Sequence, residues 1–175
     1  MIRLALAVLI GLVGAGIVHI VSVLAVPTLS NSGTFERIGA LGAEGTFHRM
    51  PTDDPFARAV ACAVPLDQPR RVVATGSEAT GEVGFWSASV LARGGEAIYS
   101  LNDRTAIDGT FDLILATPAT ITELRAELDE NAPELVAVPT DRAAVVLRTH
   151  VADPSLQSRA DRFLASASCG PLEMG

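Results

Sequence analysis

Residues 4–26 run for twenty-three positions without a charged side chain, LALAVLIGLVGAGIVHIVSVLAV. Nothing else in the chain restricts its folding as strongly. As a helix the run rises about 34 Å, enough to span a hydrocarbon core of about 30 Å with some tilt. Pro27 and the polar residues that follow, to Thr34, stop it. A secretory signal peptide has a shorter apolar region of about 7–15 residues. Val23-Leu24-Ala25 nonetheless offers a small-residue cleavage site, so both an uncleaved anchor and a cleaved leader stay open, and length favours the anchor. The first cysteine is Cys62, so no lipid-accepting cysteine follows the run. Arg3 precedes it, and the next charges are Glu36 and Arg37. Positive charge is retained on the cytoplasmic side, which predicts an internal amino end and an exported remainder.

Within the run, Gly14-Ala15-Gly16-Ile17-Val18 has the opening spacing of a dinucleotide-binding turn. His19 stands where the third glycine belongs, and no polar break divides a strand from a helix, so the stretch reads as anchor. Ala7, Gly11 and Ala15 recur every fourth residue and line one helix face with small side chains. Such a face lets a second helix approach closely, either a membrane-protein partner or a second copy of the chain. The alternative is the ordinary abundance of Ala and Gly in membrane helices.

The remainder reads as a tether over residues 28–52 and one extracytoplasmic domain over residues 53–175, with the anchor as residues 1–27. Phe35, Ile38 and Leu41 have the spacing of one or two amphipathic helical turns inside the tether. Residues 56–64, 71–75, 84–91, 97–101, 111–117, 135–138 and 143–151 are rich in β-branched or alternating apolar side chains and read as strands. Arg93-Gly94-Gly95-Glu96 sits between two of them as a hairpin turn. Thr117-Pro118 and Asp153-Pro154 each place a capping side chain before a first-turn proline, which predicts two late helices. The expected fold is mainly β or α+β: an antiparallel, sandwich-like domain with two late helices, preceded by one transmembrane helix.

Charge and cysteine content narrow the function classes. Thirteen basic residues, every one Arg, face twenty acidic ones for a net charge of −7, the wrong sign for a nucleic-acid binder. Two cysteines are too few for a CxxC-built zinc site. HExxH, GxSxG and phosphate-loop motifs are absent, and His19, His48 and His150 share no metal-ligand spacing. No metal and no cofactor is expected, and no residue is assigned a catalytic role.

The densest polar cluster is Asn102-Asp103-Arg104, with Asp108 beyond it. It reads either as a ligand or anion site, with Trp86 and Tyr99 nearby in the strands, or as an Asx turn locked by an Asp–Arg pair. Trp86, the single tryptophan, is either core or the floor of a pocket. Cys62 and Cys169 are either a disulfide tying the carboxyl end to the first strand or two separate buried thiols.

Residues 84–104, GFWSASVLARGGEAIYSLNDR, resemble a strand–turn–strand block of the bacterial family called domain of unknown function 1254, and of its partner domain 1214. The matching residues are Phe85, Trp86, Ser87, Tyr99, Ser100, Asp103 and Arg104, and Asp54-Pro55-Phe56 fits loosely upstream. The likeness covers roughly residues 53–118, and the anchor resembles that of short, single-domain members. It implies a bacterial inner-membrane protein with a periplasmic β domain, and it brings no reaction with it. The leading expectation is a non-enzymatic binding or scaffolding role. Its rivals are an envelope hydrolase or lyase using Asp103, Arg104 and His150, and a small subunit of a larger membrane complex.

Overall fold

The computed structural model describes residues 2–30, 33–75, 85–106, 110–129 and 132–173, with the side chains of 27–30 left aside. The apolar run is one uninterrupted helix, α1 (Ile2–Ser30), so the glycines at 14 and 16 open no strand–turn–helix. Its large apolar side chains are exposed from Ile2 to Val26.

The remaining elements are α2 (Thr34–Gly39), β1 (His48–Arg49), β2 (Ala57–Pro65), β3 (Arg70–Ala74), β4 (Trp86–Ala92), β5 (Ala97–Asn102), β6 (Phe111–Ala116), α3 (Pro118–Glu127), β7 (Glu134–Ala137), β8 (Arg142–His150), α4 (Gln157–Ala165) and β9 (Ser168–Pro171). They form a sandwich-like α+β fold. One sheet, sheet A, runs β1-β2-β8-β4-β5, and the other, sheet B, runs β7-β6-β3-β9. Sheet A is antiparallel throughout. Sheet B departs from the antiparallel expectation at one place, where β6 and β7 pair in parallel. A parallel pair needs a crossover, and α3 supplies it.

Alternation sorts the side chains of sheet A. Val60, Cys62 and Val64 of β2, Trp86, Ala88 and Val90 of β4, and Val145 and Leu147 of β8 face inward. They meet Val72, Phe111, Leu113 and Leu115 of sheet B in one core. Trp86 is fully buried at its centre, edge-on to Phe111 (centroids 5.9 Å apart) and tilted against Phe163 of α4 (6.2 Å). On the outer face of sheet A, Ala61, Ala63, Ala144 and Val146 are covered by Phe35 and Ile38. Outside sheet B, Ile114 and Ala116 are covered by Ile121 and Leu124 of α3.

The expected tether is thereby corrected. Residues 34–50 carry α2 and β1, which pack on and pair with β2. Alternate alanines leave β2 with a shallow outer face, and Phe35 and Ile38 fill it. A short amphipathic cluster with such a partner is buried, not solvated.

Both capping residues act as expected: the Thr117 hydroxyl accepts from the Thr120 N–H at the start of α3, and the Asp153 carboxylate accepts from the Ser155 N–H of the turn that leads into α4. After Asp153 a single 3₁₀ turn, Pro154–Leu156, precedes α4. The β4–β5 hairpin turns through Gly95 at φ +82°, a left-handed conformation that glycine adopts without cost.

No local sequence signal marks β9, whose four residues carry no β-branched side chain. It is held by pairing with β3 and by its cysteine. Cys62 of sheet A and Cys169 of sheet B are joined as a disulfide through the core, their Cα atoms 6.8 Å apart. The cross-link spans 107 residues of chain, and closing so long a loop removes much entropy from the unfolded state. Thiol labelling of denatured, unreduced protein should find no reactive group. The double variant Cys62→Ala/Cys169→Ala should lose about 2–4 kcal/mol in chemical denaturation, and an unchanged midpoint would remove the cross-link from the stability of the fold.

Candidate functional site

The polar residues singled out in the sequence lie around one end of sheet A, where β2 begins, β8 ends and β4 begins. Register aligns Thr149 with Trp86 across β8 and β4, and Arg58 with Thr149 across β2 and β8. The Asp103 N–H donates to the Trp86 carbonyl (3.3 Å), which extends the row to the edge of the sheet. One threonine in an apolar strand gives no sequence signal, yet Thr149 is only 2% exposed.

Three buried side-chain atoms among the described residues lack a hydrogen-bond partner, and all belong to this row: Trp86 Nε1, Asp103 Oδ1 and Thr149 Oγ1. Buried polar atoms are nearly always satisfied. Here they supply an indole donor, a carboxylate acceptor and a hydroxyl able to do either, the chemistry that holds a small polar molecule. Arg58, the cross-strand neighbour of Thr149, also lines a cavity of about 470 Å³ with Arg49, Met50, Thr52, Asp54 and Leu164, among others; the three unpartnered atoms are not in its wall. Arg58 donates to the Pro55 and Ala57 carbonyls, and Arg49 is ion-paired with Asp161 at 2.7 Å.

The other candidates are occupied differently. Asn102 is structural: its side-chain oxygen accepts from the N–H groups of Arg104 (2.9 Å) and Thr105 (3.1 Å), an Asx turn. The Asp103–Arg104 pair expected to lock that turn is not formed; Asp103 is drawn in beside Trp86 while Arg104 stays exposed. Tyr99 is a bracket between sheets, since its hydroxyl donates to Glu134 of β7. Trp86 is core, fully buried. Ala7, Gly11 and Ala15 share one face of α1 that is exposed among the described residues. Asp108 lies outside the described residues.

Asp103, Arg104 and His150 do not converge. His150 is exposed on the outer face of β8, following Ala144 and Val146 by alternation, whereas Asp103 turns a carboxylate oxygen into the interior. Acid–base chemistry by the three together has no geometry here. Among the described residues no cluster of His, Cys, Asp and Glu is arranged to hold a metal ion.

No protein-family model and no curated protein matches the chain. Among solved structures, the VPA0106 protein from Vibrio parahaemolyticus is similar at 12% identity with a TM-score of 0.62, covering 85% of this chain. An uncharacterised protein from Burkholderia cenocepacia is similar at 14% identity over 73% of this chain, with a TM-score of 0.40, too low to speak to the fold. The chain spans 38% of the length of each. At such identity, the Vibrio protein shows a shared fold.

Two outcomes test these assignments. Asn102→Ala should cost about 1–2 kcal/mol through its two lost hydrogen bonds, whereas Asn102→Asp, which keeps the acceptor, should restore most of it in chemical denaturation. Tyr99 is the only tyrosine, and burial, reinforced by Glu134, holds its phenol well above the usual range. A proton bound more tightly when folded stabilises the native state below about pH 10, where unfolded tyrosine titrates, and that contribution is lost as pH climbs further. Stability should therefore fall above about pH 10, and Tyr99→Phe should flatten the fall; an equally steep fall in the variant would refute the bracket.

Proposed function

We propose that this is a single-pass membrane protein whose β-rich domain lies outside the cytoplasm and acts by binding, not by catalysis. The observation that carries the reading is α1: a helix whose residues Ile2–Val26 are long and apolar enough to cross a membrane, with none of that span buried against the domain. Its exposed Leu, Ile and Val side chains need a solvent other than water. Arg3 on its amino-terminal flank supports an internal amino end. The Cys62–Cys169 disulfide supports an oxidising compartment for the domain.

A binding role is supported by the scatter of Asp103, Arg104 and His150 and by the unpartnered atoms of Trp86, Thr149 and Asp103. That row is where the reading places a small polar ligand. We carry forward with it the resemblance to domain of unknown function 1254, with which a sandwich-like domain is in keeping. The same resemblance places the anchor in a bacterial inner membrane and the domain in the periplasm.

Reporter fusions after Gly175 test the topology. A phosphatase that folds only in the periplasm should be active there, and a fluorescent protein that matures only in the cytoplasm should stay dark. The reverse pattern would overturn the orientation. Release of the chain from membranes by alkaline carbonate would overturn the anchor.

A further inference from the structure

Sheet A carries a charge pattern foreign to the rest of the chain. None of the twenty acidic residues lies in β1, β2, β4, β5 or β8, while four Arg and two His do. The acids within the other elements are Asp112 and Glu134 in sheet B, Glu123 and Glu127 on α3, Asp161 on α4 and Glu36 on α2. Arg142 and Arg49 of sheet A are paired with Glu44 and Asp161. Arg148 is exposed on the outer face, beside His150, and has no carboxylate partner among the described residues. Arg37 of α2 is exposed over the same face and is held only by its own helix, donating to the Gly33 carbonyl and the Thr34 hydroxyl. Phe85, 44% exposed, stands at the rim of this face through the hydrogen bond from His150 N–H to its carbonyl. The acid nearest by sequence, Glu36, is also on α2.

Covalent geometry puts this face near the bilayer. Three residues separate Ser30, the end of α1, from Thr34, the start of α2. Four Cα–Cα steps reach at most about 15 Å, and the helix beyond Val26 adds about 6 Å. About 5–8 Å of that reach crosses the headgroup layer itself. Helix α2 is therefore leashed within roughly 15 Å of the headgroup surface, and it is packed on the outer face of sheet A.

We propose that the outer face of sheet A, with α2, lies against the bilayer that holds α1, and that Arg37, Arg148 and His150 meet anionic phospholipid headgroups. Sheet B and α3 then face away, with α3 about 30 Å farther out, since packed layers are about 10 Å apart. This inference rests on the membrane-anchored reading above. It deepens that reading by naming the surface that meets lipid, and it leaves the opposite face and the Trp86 end open to soluble partners.

The full chain in nanodiscs tests it. Both native cysteines are in the disulfide, so one introduced cysteine is the only thiol for a nitroxide label. Gly39→Cys places a label on α2, where an added Cβ meets nothing within 4 Å. Arg125→Cys places one on an exposed position of α3. With nickel-chelating lipid in anionic discs, relaxation of the Gly39 label should be enhanced at least several-fold more than that of the Arg125 label. Arg37→Gln combined with Arg148→Gln should narrow the difference in anionic discs and leave it unchanged in neutral ones. Equal or reversed enhancement in chains that insert would overturn the face while leaving the anchor standing. Insensitivity of the difference to the double substitution would overturn the headgroup contact, and failure of the chain to enter discs would overturn both readings.

Discussion

Strand β8 is buried on both faces over most of its length, and the arrangement of the other elements follows from that demand. Val145 and Leu147 need cover on one side, Ala144 and Val146 on the other. Sheet B answers the first need with Val72, Phe111 and Leu113, and α2 answers the second with Phe35 and Ile38. In the plane of the sheet, β2 and β4 satisfy its backbone on both edges. A strand that must be covered above, below and on both sides cannot sit at a domain margin. Its apolar middle, AAVVL, is the sequence of a central strand.

Two sheets stacked on such a strand leave open sides, and each side has its own tie. Where β2 approaches β9, the Cys62–Cys169 disulfide crosses the core. Where β5 approaches β7, the Tyr99 hydroxyl reaches Glu134. One tie is covalent, insensitive to pH and open to reduction. The other is a hydrogen bond between edge strands, sensitive to pH and indifferent to reduction. Between them, Trp86 fills the centre at a cost: its indole N–H, with the Thr149 hydroxyl and one Asp103 oxygen, is buried without a partner. A core polar row of this kind is expensive unless something satisfies it, which is why the binding reading is placed at this end.

Charge is segregated in the same layered way. The strands of sheet A are basic and free of acids in a chain of net charge −7, and the acids lie on sheet B, on α2, α3 and α4, and in the connections. For an isolated soluble domain such segregation has no evident advantage. In the proposed arrangement it has one: a short leash brings α2 to the bilayer, and strands without acids present Arg148 and His150 to anionic headgroups, with Glu44 held by Arg142 and Glu36 the one acid of α2.

What the sequence determined by itself are the features encoded over short range. The helix α1 is written in twenty-three uncharged residues, strands β2 to β8 in β-branched or alternating runs, and the late helices in Thr117-Pro118 and Asp153-Pro154. Asn102 carries its own turn chemistry. Tertiary structure alone decided the rest, because the deciding partners lie far apart in the chain. Residues 34–50 look like a tether until β2 and β8 offer an alanine-lined face to cover. Strand β9 has no β-forming residues and exists through β3 and Cys62. Tyr99 reads as a ligand contact until β7 brings Glu134 beneath it. Asp103 and Arg104, adjacent in sequence, part because one is drawn in beside Trp86 and the other stays in water. Thr149 gives no signal at all, since burial of a lone hydroxyl is a property of the packed core and of no local pattern.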